Sequence, residues 1–157
     1  MKLATALLLP LALAVPASAQ LPVPIEKEPL HQLKFENSHV RLFDVSIPPG
    51  VTTLAHVHVN DAVGVRLTDA TLVDEAVGEE PSKSSVTHGS VSFSYRPTPL
   101  IHKVSNTGST PYRNILVEIL PSAGSTPDAA SLVDVAGHTL VMENDRVRVV
   151  RLVLAPG

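Results

Sequence analysis

The chain has 157 residues and a formal net charge of −3, and it contains neither cysteine nor tryptophan. This length is enough for one domain with its own hydrophobic core, and the absence of cysteine excludes a disulfide framework. The basic residues form no cluster, which excludes nucleic acid and anionic lipid surfaces as partners.

The first 19 residues, MKLATALLLPLALAVPASA, have the pattern of a secretory signal peptide. Lys2 precedes an apolar run, and Ala17-Ser18-Ala19 is the small-x-small arrangement that signal peptidases accept. A retained anchor is the alternative, but it needs about 18 apolar residues, and Pro10 interrupts a shorter run here. We predict cleavage before Gln20, export to the periplasm or the extracellular space, and no stable membrane insertion after cleavage.

A proline-rich arm at residues 20–29 precedes a series of short strands. Its three prolines predict an extended segment outside regular ladders. From 30 to 121, runs rich in Val, Ile, Leu and Thr alternate with Gly, Pro, Asn and Asp, which is typical of strands. The predicted strands are 39–47, 51–58, 62–67, 70–74, 84–87, 91–95, 100–104 and 112–120. The predicted fold class is all-β, a closed barrel or jelly roll.

A small-residue linker at 122–131 leads to a segment, 132–157, that repeats the start of the domain. The sequences of His31–Gly50 and His138–Gly157 align without a gap and share His, Leu, Glu-Asn, Val-Arg and Pro-Gly. An ungapped match with common turn residues predicts an internal repeat. The segment is therefore either the beginning of a second repeat or a source of extra strands, at 139–142 and 146–154, that cover an edge of the first barrel.

Two histidines one residue apart, in the stretch AHVHVN, are the most informative feature of the sequence. Side chains two apart in a strand point to the same face, so His56 and His58 project together. Buried imidazoles need partners, and one metal ion would satisfy both, whereas exposed strand histidines are the alternative reading. A mononuclear site needs a further ligand from another strand, and His102 is the candidate.

These residues resemble the two motifs of the cupin superfamily. The first motif is Gly50, five residues and His56-Val57-His58, and the second is Pro97-x-Pro99-x-x-His102-x-x-x-Asn106. The resemblance covers about residues 30–120 and implies a double-stranded β-helix, a small jelly-roll-like barrel with its ligands inside. It also implies that His56, His58 and His102 bind metal, and that 132–157 begins a second, bicupin-like domain.

The chain departs from this family pattern at the position of a glutamate ligand. That glutamate is expected at 62 or 63, where the chain has Ala62 and Val63. The nearest carboxylate, Asp61, is a secondary candidate ligand, with ordinary turn chemistry at a strand end as the favoured alternative. Three-histidine sites that lack the glutamate occur within the superfamily, so the resemblance still implies a metal site.

The other histidines, the acidic segment after residue 73 and Arg66 are assigned to the surface. His31, His39, His88 and His138 are interpreted as surface or cap residues, and Asp74 as part of a solvated turn. Arg66 could face the cavity and bind an anionic substrate, but an outward, solvated arginine is the favoured reading.

The predicted cofactor is one divalent transition metal ion, iron, zinc, manganese, nickel or copper, since three imidazoles suit all of these. Such a site fits a metal-dependent oxygenase or isomerase acting on a small organic molecule. Two alternatives stay open: a non-catalytic cupin domain that binds a small ligand, and a structural domain that pairs with a second copy as a homodimer or with a second cupin domain.

Overall fold

Two five-stranded sheets and a separate hairpin make up the structure, a computed structural model that describes residues 21–121 and 135–156. The strands are β1 (Val23–Pro24), β2 (His31–Glu36), β3 (Val40–Ile47), β4 (His56–His58), β5 (Asp61–Arg66), β6 (Ala70–Ala76), β7 (Ser82–Val86), β8 (Val91–Ser94), β9 (Leu100–Asn106), β10 (Tyr112–Ile119), β11 (His138–Glu143) and β12 (Arg148–Leu152), with a 3-10 helix at Ile25–Lys27. The predicted signal peptide at 1–19 and linker at 122–131 lie outside the described residues.

The two sheets have the orders β1-β4-β9-β6-β7 and β2-β3-β10-β5-β8. Within the described ranges, no helix is long and apolar enough to cross a membrane. The prediction of an all-β fold is confirmed. The alternation of strands between the sheets leaves an enclosed space between them, and this space positions the site.

The core lies between the two sheets and follows from the two-residue period of the strands. Phe43, Val45 and Ile47 alternate along β3 and are almost completely buried, together with Leu72 of β6. Burial of each such side chain contributes about 1.5–3 kcal/mol. The arm also takes part, because Ile25 is fully buried in the same cluster.

Several strand boundaries differ from the prediction. Strand β2 was not predicted, although its first residue, His31, is buried. The predicted strand 51–58 is shorter in the structure, because β4 is limited to His56–His58 and Thr52 makes only an isolated bridge. The arm is not free of ladders, since Val23–Pro24 pair in parallel with β4. Pro22 precedes this pair and Pro24 is its second residue. Neither proline has an N–H to donate to a ladder, which explains why the pairing stops at two residues.

Asn106 and Gly50 tie the end of β9 to the turn that precedes β4. The Asn106 amide donates to the carbonyl oxygens of Ile47 and Thr110, at 2.9 and 2.8 Å, and is fully buried. Gly50 has a φ of 73°, a left-handed conformation that favours glycine, and its N–H donates to the Asn106 carbonyl at 2.8 Å. Both motif residues therefore shape the backbone beside the site.

The hairpin β11–β12 has the same register as β2–β3. His31 pairs with Val45 and Glu36 with Arg41, and the equivalent pairs in the second hairpin are His138 with Leu152 and Glu143 with Arg148. Each hairpin has an irregularity at the same place, between Leu33 and Phe35 and between Leu140 and Met142. Asn37 and Asn144 each accept two backbone N–H bonds in the turn. The likeness of the two segments therefore extends to strand pairing and turn geometry.

The second hairpin forms its own two-stranded sheet and, within the part of the chain described, adds no strand to either barrel sheet. It contacts the barrel through arginines: Arg151 donates to the Gly89 carbonyl at 2.6 Å, and Arg146 lies 3.6 Å from Asp61. The extra strands considered at 139–142 and 146–154 are thus present as a hairpin, but the hairpin does not extend a barrel edge.

Candidate metal centre

Three of the site residues are brought together by the pairing of β4 with β9. His56 and His58 are both buried on the inner face of β4, as their spacing predicts. In the antiparallel register His56 lies directly opposite His102. Side chains of such pairs are close neighbours on one face of a sheet. The ring centroid of His102 is accordingly 4.7 Å from that of His56 and 5.0 Å from that of His58.

A fourth histidine, His31, joins this group from the other sheet. The segment between β1 and β2 passes over β4, and it places the His31 ring 4.6 Å from the ring of His56. Ligand atoms of His31, His56 and His58 all lie within 4.8 Å of one another, a spacing that suits a shared metal ion. His31 is only 7% exposed, so its assignment to the surface was wrong.

Three of the four rings are oriented by an oxygen acceptor at Nδ1. His31 Nδ1 is 2.6 Å from a Glu28 oxygen, His56 Nδ1 is 2.8 Å from the Leu54 carbonyl, and His102 Nδ1 is 3.0 Å from Asp74. A carbonyl oxygen can only accept, so His56 must carry its proton on Nδ1, and its Nε2 is left with a lone pair. Carboxylate or carbonyl oxygens behind histidine ligands are typical of metal sites, where they fix the tautomer and the ring orientation.

Glu28 is held in place by three contacts. It is 2% exposed and accepts the N–H groups of Leu30 and Leu54 in addition to the contact with His31. Burial raises the pKa of Glu28, but the contacts with His31 and with these two N–H groups outweigh burial and lower the pKa overall. The carboxylate is therefore ionised and can accept a hydrogen bond from His31 Nδ1.

The two β4 histidines are held neutral. Burial lowers the pKa of His56 to about 4. Burial also lowers the pKa of His58 to about 2, and repulsion between a protonated His58 and protonated His102 or His56 lowers it further. A neutral imidazole is the form that binds a metal ion. The site is thus prepared for a cation without any need to displace protons from these two rings at neutral pH.

The inward ring nitrogens show whether a metal ion fits. The Nε2 atoms of His56 and His58 are 3.1 Å apart, close enough for one to donate to the other or for both to bind one ion. His102 Nε2 is buried and, among the described residues, has no hydrogen-bond partner. Buried acceptors without a donor are unfavourable, by about 1–3 kcal/mol each. The ligand atoms of His31, His56 and His58 are close enough to share one divalent ion, and the His102 ring lies beside them, so the donor set fits a transition metal.

The candidate carboxylate ligand Asp61 has other partners. It is buried at the start of β5, where one of its oxygens accepts the Arg96 N–H at 2.8 Å and another lies 3.6 Å from Arg146. These contacts agree with the turn role that the sequence favoured. In the space where the family pattern has a glutamate, Ala62 and Val63 are both buried and offer no ligand atom.

Sequence reasoning missed three residues of the site, His31, Glu28 and Asp74. Asp74 was assigned to a solvated turn, but it lies within β6 and contacts His102. The two-residue period offered a signal for it, because Asp74 shares its strand face with the buried Leu72. No comparable signal existed for Glu28 or His31, since the residues that they meet in the site, Leu54 and His56, are distant in the sequence. The other histidines, His39 and His88, are exposed as expected, and His138 lies in the second hairpin.

The histidines open into a cavity of about 220 Å³ between the sheets. Arg66 lines this cavity, so the preference for an outward arginine was wrong. The inward direction of the Arg66 side chain follows from the alternation along β5, which also places Ala62 and Gly64 on the cavity side. Serine hydroxyls, Asn114 and Arg96 add polar groups to a lining that is otherwise mainly aliphatic.

Comparison with solved structures finds proteins of the cupin fold. A cupin domain from Bordetella pertussis Tohama I is 27% identical in sequence, with a TM-score of 0.53, and the match covers 64% of this chain and 97% of that one. An RmlC-like cupin family protein with a double-stranded β-helix fold from Methanocaldococcus jannaschii is 12% identical, with a TM-score of 0.48 over 62% of this chain and 84% of that one. No protein-family model and no curated protein sequence matches the chain.

The fold, the inward histidines and the similarity to the Bordetella domain identify the chain as a member of the cupin superfamily. The predicted double-stranded β-helix is confirmed.

Proposed function

We propose that this chain is an exported metalloprotein whose cupin barrel binds one divalent transition metal ion beside a cavity for a small organic molecule. His56, His58 and His102 would hold the ion, together with His31, which the sequence did not single out. The observation that carries the proposal is the convergence of ring nitrogens: ligand atoms of His31, His56 and His58 lie within 4.8 Å of one another, and the nearby His102 Nε2 is buried without a partner among the described residues.

Each outer oxygen has a defined task in this proposal. Glu28 and Asp74 would orient His31 and His102 and increase the basicity of the rings. The buried setting of His56 and His58 would keep both rings unprotonated and exclude water from the inner side of the site. When bound, the ion would supply Lewis-acid or redox chemistry, as in an oxygenase or isomerase.

One observation favours the alternative of a domain that binds a small ligand without turnover. Asp74 is the single carboxylate that lines the cavity in the described part of the chain, and it already contacts His102. Asp61 is likewise engaged, and the family's glutamate is replaced by an aliphatic residue. A free general base is therefore missing from the described lining, and catalysis would have to depend on the metal and its ligands alone.

Export is supported by the signal-peptide pattern of residues 1–19. Fractionation of cells that express the full-length chain, with N-terminal sequencing of the product, tests it. A product that begins at Gln20 outside the cytoplasm is expected, and an uncleaved chain in the cytoplasm would contradict export.

The test of the metal site is the metal content of the purified mature chain, measured by elemental mass spectrometry. About one equivalent is expected in the wild type, and none in a His56→Ala/His58→Ala variant. His88→Ala is the matched control, because His88 is exposed, and it should keep the wild-type content. Single variants at His31 and His102 then show which of these two rings binds the ion. No metal in the wild type after reloading with each candidate ion would overturn the proposal.

A further inference from the structure

Arg66 is held inside the cavity in an unusual position. Its Nη1 donates to the Gly64 carbonyl at 2.9 Å and to the Ser92 hydroxyl at 2.5 Å. The guanidinium folds back over Gly64, where a Cβ atom would lie 2.7 Å from Nη1 and 3.2 Å from the Asn114 side-chain oxygen. Glycine at this position therefore leaves the space that the guanidinium occupies.

One donor of the guanidinium is left without an acceptor. Nη1 donates to Gly64 and Ser92, and the guanidinium also bonds to the Tyr112 hydroxyl. Arg66 Nε, by contrast, is buried and has no hydrogen-bond partner among the described residues. A buried donor without an acceptor is unfavourable, and an arginine offers its donors as a planar fork that matches two oxygens. The unfilled position next to Arg66 is thus complementary to an oxyanion.

The charge of the lining also favours an anion. Arg66 and Arg96 both line the cavity, and their positive charges are opposed there by Asp74, which is occupied with His102. Three serine hydroxyls, those of Ser84, Ser92 and Ser94, supply further donors. An anion that enters this space meets hydroxyl donors and positive charge among the aliphatic residues of the lining.

We infer that the cavity binds a small organic carboxylate, whose carboxylate group is received by Arg66 while the rest of the molecule faces the histidines. This inference rests on the proposed function in one respect, that the histidine centre shares the cavity. The volume of about 220 Å³ limits the ligand, since it equals roughly seven water molecules at about 30 Å³ each. Carboxylates of two to four carbons are therefore the probes of choice.

The test is isothermal titration of the full mature protein with malonate, with acetate, propionate and succinate as further probes. Wild-type protein should bind at least one of these, and Arg66→Gln should weaken that binding at least tenfold. Arg66→Lys, which keeps the charge but loses the fork, should give an intermediate loss. Gly64→Ala, which displaces the guanidinium without changing charge, should also weaken binding. Arg113→Gln is the matched control, because Arg113 is an exposed arginine paired with Asp44 on the surface.

Neutral and inorganic competitors define the chemical class. Malonamide should not bind, and phosphate should bind more weakly than the best carboxylate. Equal affinity of wild type and Arg66→Gln, binding of malonamide as tight as malonate, tighter binding of phosphate, or no binding of any carboxylate would each overturn the inference.

Titrations of metal-free and metal-loaded protein separate this result from that of the metal site. Arginine-dependent malonate binding in a protein that takes up no metal would support the anion site and contradict the metal site. Metal uptake without arginine-dependent binding would do the reverse.

Discussion

Glu28 connects the N-terminal arm to the candidate metal centre, because its carboxylate contacts His31 and Leu54. It is buried and accepts from His31, so its neutral replacement would remove the oxygen charge that orients this ring. We expect Glu28→Gln to weaken metal binding by about 10–100-fold, as changes behind metal ligands typically do. Competition with a chromophoric chelator measures this affinity.

Glu26→Gln is the matched control for that change, because Glu26 belongs to the same 3-10 helix but is more exposed and faces Arg41. It should leave the metal affinity unchanged. An unaltered affinity in Glu28→Gln would show that His31 is not a ligand or that its orientation does not depend on the carboxylate.

The two hairpins show how the same element can have different energetic roles. Ile47 and Leu154 occupy the same position of the repeat, yet Ile47 is 1% exposed and Leu154 is 76% exposed. The first hairpin pairs through β3 with β10, whereas β12 pairs with β11 alone in the described residues. The apolar face of the second hairpin is thus a core-like surface without the sheet that would cover it. This is the arrangement expected if the segment is the start of a second repeat, which stays a prediction.

This difference predicts unequal effects of matched substitutions on stability. Ile47→Ala should lower the free energy of unfolding by about 2–5 kcal/mol, because it opens a cavity in the core. Leu154→Ala should change it by no more than about 0.5 kcal/mol, as is usual for exposed positions. Urea denaturation followed by circular dichroism gives both values. A loss in Leu154→Ala comparable with that in Ile47→Ala would mean that this face is covered in solution.

At the scale of the whole molecule, the buried histidines make stability depend on pH. The pKa of His56 is about 4 and that of His58 about 2 in the folded protein, both below the ordinary value of 6.5. The unfolded chain therefore binds more protons below pH 6.5, and the folded state loses stability as the pH falls from about 7 toward 4. Each histidine contributes a slope of up to about 1.4 kcal/mol per pH unit.

Glu118 acts in the opposite direction. Burial raises its pKa, although Arg41 at 2.6 Å lowers it in part, so the folded state binds this proton more readily than the unfolded chain does. One such group is outweighed by two histidines. We expect metal-free protein to unfold at lower urea concentration at pH 5 than at pH 7, and His39→Asn, an exposed site, to show the same slope. Equal midpoints at the two pH values would contradict neutral, buried histidines.

Much of this protein was determined locally by its sequence. The alternation of side chains in a strand placed His56 and His58 on one face, and Gly, Pro and Asn residues marked most of the turns between the strands. The likeness of the two hairpin segments was also visible as an ungapped repeat, whereas the matching positions of their irregularities appeared only in the structure. These features depend on backbone geometry over a few residues, which is why they can be derived without a structure.

Only the tertiary structure decided which distant residues meet. His31 and Glu28 reach β4 through the path of the arm, Asp74 reaches His102 through the pairing of β6 with β9, and no short-range pattern encodes either contact. The inward position of Arg66 depends likewise on the partner sheet and on the space above Gly64. The sequence indicates the face of the sheet to which a side chain points, but the packing of one sheet against the other determines which residues that side chain contacts.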